Sequence, residues 1–264
     1  MNRREMIAGG TSVAATAALG GNASALVPAD ALRLRPAEQR GKSDLGWLKS
    51  NFSFSFAQYY DPAHTHFENL RVINDDLIAG GGGFPMHPHK DFEIFSYVLD
   101  GAIEHKDSMG NGSVVKAGGV QYMSAGSGVT HSEFNPSATD QMRLLQIWLM
   151  PNVFGEQPRY DTLDIDPAEK DGKLKLFLSA DGRNGSIAAR ADADVYAATL
   201  KGDQEISFTV RSGQKAWIQI ARGNVSVNGM DLRRGDGLAV EQPGTLTFTK
   251  GDDAEFLLFD LKVI

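Results

Sequence analysis

Two short segments of the chain carry residue types that can do chemistry. The first is Gly83-Phe84-Pro85-Met86-His87-Pro88-His89-Lys90-Asp91-Phe92-Glu93. The second is Ala125-Gly126-Ser127-Gly128-Val129-Thr130-His131-Ser132-Glu133. In a β-strand, residues i and i+2 point to the same side. His87 and His89 therefore share a face, and so do His131 and Glu133. Two such pairs on facing strands could converge on one ion. Imidazole with carboxylate suits Fe(II), Mn, Co, Ni, Cu or Zn. Three imidazoles and one carboxylate leave octahedral positions open, which fits a catalytic site better than a closed structural one. Glu93 shares the strand parity of His87 and His89, so spacing alone leaves the carboxylate ligand open between Glu93 and Glu133. Asp91 has the same parity but lies nearer the bend. His105, between Glu104 and Lys106, receives no role. His64-Thr65-His66 follows Asp61-Pro62-Ala63 and reads as a pair of turn residues.

The composition narrows the chemistry further. The 264 residues include no Cys, which excludes disulfides, zinc fingers, iron–sulfur clusters and Cys nucleophiles. All six His lie between His64 and His131, so any transition-metal site must use His and carboxylates in the first half. The formal charge of −7 gives no general attraction to a phosphate backbone, and no nucleic-acid partner is expected. Gly80–Gly83 lacks the Lys-Ser/Thr of a phosphate loop, and no G-x-S-x-G, H-E-x-x-H or G-x-G-x-x-G unit occurs.

The elements that must hold these residues read as short strands. Runs rich in β-branched and aromatic residues recur between Gly, Asn and Asp turns: Phe52–Tyr59, Leu70–Ile73, Glu93–Leu99, Val120–Met123, Leu144–Met150, Tyr196–Leu200, Ala216–Ala221, Leu246–Thr249 and Phe256–Leu261. This pattern predicts a sandwich or barrel with little helix. A weak internal repeat predicts two domains. Tyr97–Gly101, the Asp107–Gly112 turn and Lys116–Val120 are echoed by Ile218–Gly223, the Asn228-Gly229 turn and Arg234–Leu238. The expected division is an N-terminal barrel with the metal site over 45–155, a linker over 156–173 and a C-terminal barrel without metal over 174–264. Residues 1–31 read as a leader. Arg3-Arg4, the weakly apolar run Ala8–Leu19 and the site Ala23-Ser24-Ala25 resemble a twin-arginine signal, which implies a periplasmic destination. A leader that does not function leaves the protein cytoplasmic. The run is too short for a membrane span.

Several of these segments resemble the pirin family. They are His87-Pro-His-Lys-Asp-Phe-Glu-Ile94, Tyr97–Gly101, His105–Asn111, Val120–Gly128 and His131-Ser-Glu-Phe-Asn135, with Arg71–Asp75, Leu145–Trp148 and Leu257–Leu261. The similarity runs from about Trp47 to the end and is greatest to the bacterial pirin-like quercetin dioxygenases. It implies an all-β bicupin, two cupin (jelly-roll) β-barrels packed face to face, with one metal in the first. Carried over, the ligands fall on His87, His89, His131 and Glu133, and Glu93 becomes a supporting residue. Thr209 and Arg211 fall where His87 and His89 would repeat, so the second barrel holds no such site. The resemblance implies one divalent transition metal, Fe(II) first, with Zn, Mn, Ni, Co or Cu as alternatives. It implies a flavonol-like aromatic substrate and O2, ring opening with release of carbon monoxide, and Glu133 as the candidate base. A monomer is expected. Phe84, Met86, Phe92, Phe95 and Met123 could supply an apolar pocket, but most of them read as ordinary barrel core and none is assigned to substrate. The alternative is a non-catalytic metal-binding regulator or partner-binding module, and the leader weighs against it, because an exported protein could not regulate transcription factors or metabolic enzymes in the cytoplasm.

Overall fold

The structure is a computed structural model and describes residues 25–264. The leader reading up to Ser24 lies outside the described residues. Among the described residues, no helix is long and apolar enough to cross a membrane.

The first barrel is made of two sheets. One runs in the order Gly83–His89, Val129–Phe134, Ala102–Asp107, Gly112–Lys116. The other runs Arg159–Asp164, Gly119–Ser124, Glu93–Asp100, Met142–Leu149, Leu70–Ile78, Leu48–Phe52, Gly41–Asp44. The smaller sheet has one wet face, so its strands alternate. Val129, His131 and Glu133 are buried in one strand, and Ile103 and His105 in its neighbour, while Glu104 and Lys106 turn outward. The strand Gly83–His89 is the sheet edge. That is where Pro85 and Pro88 are tolerated, because a proline has no N–H to give to a ladder.

The larger sheet is buried on both faces at its centre, where its strands are nearly continuous hydrophobic runs. In Glu93–Asp100, Val98 joins the barrel interior, while Phe95, Tyr97 and Leu99 pack outward against the second barrel. Leu145, Ile147 and Leu149 do the same. They meet Phe177, Val195, Trp217, Leu257 and Phe259 from the second barrel in one shared core. Each such fully buried side chain contributes roughly 1.5–3 kcal/mol.

The second barrel is built on one long sheet in the order Leu32–Arg35, Gly237–Val240, Gln214–Val227, Gly244–Lys262, Ala193–Gly202, Lys175–Ser179, Ile187–Ala188. Ile206–Val210 and Met230–Arg233 pair off its central strands. The Asn228-Gly229 turn closes a two-residue hairpin with both residues at positive φ, the geometry this dipeptide favours. Buried polar contacts also lace the barrels together. Arg143 donates to both oxygens of Asp75 at 2.8 and 3.0 Å and to the carbonyl of Ala221 across the interface. Glu255 accepts from Tyr97, Lys170 and Arg222.

Three stretches differ from the sequence expectation. Phe52–Tyr59 is mostly loop, because the strand ends at Phe52 and Ala57 takes a positive φ. Residues 156–173 carry the strand Arg159–Asp164, which pairs with Gly119–Ser124 and completes the first barrel's sheet. Residues 25–31, read as the end of the leader, lie against the second barrel. Val27 and Ala31 are buried in its core, and the Thr245 carbonyl accepts from the Val27 N–H.

Candidate metal centre

Register brings the two chemical segments together. Val129–Phe134 runs antiparallel to Gly83–His89, with His131 directly opposite His87 and Val129 opposite His89. A bulge after His131 re-aims the strand, so that Glu133 faces Phe84. The close approach there depends on Gly83. A Cβ at this position would lie 2.4 Å from the Glu133 carbonyl oxygen.

His87, His89 and His131 converge. One ligand nitrogen from each lies within 4.8 Å of the others. The His87 Nδ1–H donates to the carbonyl of Pro85 at 2.8 Å, which leaves Nε2 as the free acceptor. His131 Nε2 is buried without a hydrogen-bond partner. Burial, with His87, His89 and His105 around it, pushes the His131 pKa down to about 2. Burial and His87 take His89 to about 4. His89 and His131 are therefore neutral at physiological pH, and their ligand nitrogens lie close to that of His87. An unpaired buried nitrogen in such a cluster is costly in isolation and is what a divalent ion would satisfy. The donor set suits a borderline transition metal.

Glu133 lies beneath this cluster, grouped with His131 and His105. Gln121 Nε2 donates to one of its oxygens at 2.5 Å and Gln146 Nε2 to the other at 3.2 Å. Each carboxylate oxygen has a second lone pair left for an ion. Burial raises its pKa to about 7, with Asp76 adding to the rise and the two amides opposing it. No Lys or Arg is among the groups that perturb it. The carboxylate is thus a buried negative charge that a bound cation would compensate.

The remaining candidates lie elsewhere. Glu93 accepts from Tyr122 and Ser124 and from the backbone N–H of Arg190 on the second barrel, so its carboxylate serves the interface. Asp91 is a turn residue at positive φ, and Gly155 N–H donates to it at 2.6 Å. His64 pairs with Asp61 at 2.7 Å and His66 with Thr65, both within their loop. Thr209 is exposed and Arg211 pairs with Asp260. His105 is fully buried beside His131, and burial lowers its pKa despite Asp107.

A cavity of about 320 Å³ opens onto His87 and His89. Its walls are Leu45, Leu48, Phe52, Phe56, Phe84 and Trp148, and its polar residues include Asn74, Asp76 and Gln146. Trp148 stands edge-on to His89 with ring centres 4.9 Å apart. The Oδ1 atoms of Asn74 and Asp76 are buried without partners. Burial raises the Asp76 pKa to about 7. Of the five apolar residues weighed for a pocket, Phe84 lines this cavity and the other four do not, in line with the reading of most of them as barrel core. Phe95 packs on Phe177 between the barrels, Met86 is exposed, and Met123 and Phe92 belong to a small core with Ile94. Asp76, Gln121 and Gln146 escaped the sequence reading. The available signal was Asn74-Asp75-Asp76, three consecutive polar residues inside an apolar strand, which burial penalises unless they have work to do.

Comparison with known proteins finds relatives over most of the chain. The family model described as Pirin matches residues 33–149, and that described as the quercetinase C-terminal cupin domain matches 176–261. A quercetin 2,3-dioxygenase of Escherichia coli K12 is 46% identical over 228 residues, covering 86% of this chain and 97% of that protein. A pirin-like protein of Caulobacter vibrioides is 40% identical over 229 residues, covering 86% of this chain and 97% of its own length. The crystal structure of a bacterial pirin from E. coli in complex with nickel(II) superposes with a TM-score of 0.84 at 44% identity, covering 88% of this chain and 100% of that one.

Proposed function

The chain belongs to the pirin family, and from that premise we propose that it is a metal-dependent dioxygenase that opens the ring of flavonols such as quercetin. The observation that carries the proposal is the meeting of three clustered imidazoles with an apolar cavity whose polar residues present unpartnered acceptors. His87, His89, His131 and Glu133 would hold one divalent ion, which we take to be Fe(II). When bound, the ion supplies a Lewis acid for a substrate hydroxyl and a redox centre for O2. The protein does the rest. Phe52, Phe56, Phe84 and Trp148 exclude water and receive a flat aromatic ring. Asn74 and Asp76 offer acceptors to its hydroxyl groups. Glu133 is the group placed to accept the proton of the reacting hydroxyl, and Gln121 and Gln146 hold its carboxylate in place.

The test is turnover of quercetin by chelator-treated protein and by the same protein reloaded with Fe(II), with carbon monoxide detection. Consumption and carbon monoxide release are expected only after reloading. Turnover at full rate without metal would overturn the reading. The periplasmic address read from residues 1–31 belongs to the same proposal. Residues 1–35 fused to a reporter should carry it out of the cytoplasm, and retention would remove that part.

A further inference from the structure

His105 is the one histidine near the site that the ligand set does not use. It is fully buried on the strand Ala102–Asp107, opposite Glu133 in register. Its Nδ1 lies 3.4 Å from the Nδ1 of His131. Its Nε2 lies 3.0 Å from Asp107 Oδ2. The far end of this chain is firmly anchored. Asp107 Oδ1 accepts the backbone N–H groups of Met109 and Asn111 at 2.9 and 3.0 Å, and its Oδ2 accepts from Asn111 Nδ2 at 2.9 Å. The ring of Tyr160 stacks on His105 with centres 4.2 Å apart and planes 14° apart, and its hydroxyl is tied to Ser113 at 2.5 Å.

Proton placement follows from these contacts. A carboxylate only accepts, so the nitrogen of His105 beside Asp107 must carry the hydrogen. A neutral imidazole has one N–H, so His105 Nδ1 is then an acceptor. The facing Nδ1 of His131 must therefore carry its own hydrogen and donate it. That leaves His131 Nε2 as a bare lone pair, the atom found buried without a partner. Metal-bound histidines usually owe their tautomer to a carboxylate or carbonyl on the other nitrogen. Here an imidazole is interposed.

We propose that Asp107 and His105 form a relay that fixes the tautomer and orientation of His131 for metal binding, with Tyr160 clamping His105 in plane. His105 is thus a positioning residue. The inference rests on the reading of His131 as a ligand, and the experiment separates the two. In metal-free wild-type protein at neutral pH, a long-range 1H–15N correlation spectrum should show His131 protonated on Nδ1 and His105 on Nε2. His131 protonated on Nε2 would overturn the relay, whatever the protein binds. Nickel(II) titration against a chromogenic chelator should then show His105→Phe, which keeps the stacking surface but cannot accept, binding about 10- to 100-fold more weakly. His105→Gln, whose amide oxygen can accept from His131, should recover part of that loss. His105→Phe binding nickel(II) as tightly as wild type would overturn the relay. Should His105→Phe fail to fold, the wild-type spectrum still decides. Failure of wild type to bind nickel(II) would refute the ligand reading, while the tautomers are judged separately.

Discussion

Replacing Glu133 with Gln in the metal-free protein should change how stability depends on pH. Glu133 is buried, and its pKa rises from 4.5 to about 7 on folding. A group whose folded pKa is raised binds its proton more tightly in the native state. Its contribution is therefore complete below the unfolded pKa of 4.5 and is lost as pH rises through about 7. At about 1.4 kcal/mol per pKa unit, the full loss is about 3 kcal/mol, most of it between pH 5 and pH 8. Glu133→Gln has no proton to lose and removes this slope. Altered hydrogen bonding to Gln121 and Gln146 adds an offset that does not depend on pH, because neither amide titrates. The assay is chemical denaturation of chelator-treated wild type and variant near pH 5 and near pH 8. The variant should gain roughly 2–3 kcal/mol relative to wild type between those conditions. A difference that stays constant across this range would refute the reasoning that Glu133 is an uncompensated buried acid awaiting a cation. Metal affinity should fall in parallel below about pH 7, because a ligand carboxyl must first be ionised.

Other perturbations separate the parts of the site. Glu93→Gln should keep full metal content by elemental analysis, because its carboxylate faces Tyr122, Ser124 and the Arg190 N–H. Gly83→Ala places a Cβ 2.4 Å from the Glu133 carbonyl, and it should lower both thermal stability and metal content by forcing the two ligand strands apart. Trp148→Leu should leave metal content intact and raise the KM for quercetin in steady-state assays, because it removes one wall of the cavity. Asp75→Asn strips the buried partner from Arg143 and should cost about 3–5 kcal/mol in denaturant unfolding without changing metal stoichiometry.

Much of this architecture is legible in the sequence because period-two alternation and turn chemistry are local. The Asn228-Gly229 hairpin and the His87/His89 and His131/Glu133 pairs follow from them directly. What stayed hidden depends on the second barrel. Phe95 reads as pocket lining when its strand is imagined alone, but that strand is buried on both faces, and Phe95 meets Phe177 instead. The carboxylate ambiguity has the same origin. Glu93 keeps the parity of His87 only if the strand continues, whereas Asp91 at positive φ breaks it and sends Glu93 into the other sheet. Residues 156–173 look like linker because their composition is polar, yet Arg159–Asp164 is an edge strand, where one wet face permits polar residues. Tyr160 on that strand is what reaches His105. The polar residues of the cavity were hidden because their value comes from facing strands: Gln121, Gln146 and Asp76 lie far apart in sequence and meet only around Glu133.

The central claim is that one divalent ion sits among His87, His89, His131 and Glu133. Crystals of metal-loaded protein, measured at the absorption edge of the loaded metal, test it most directly. The account predicts a single anomalous peak within bonding distance of one nitrogen from each of the three histidines and of the Glu133 carboxylate. A peak held instead by His105, His131 and Glu133, or no peak in protein shown to contain the metal, would contradict it.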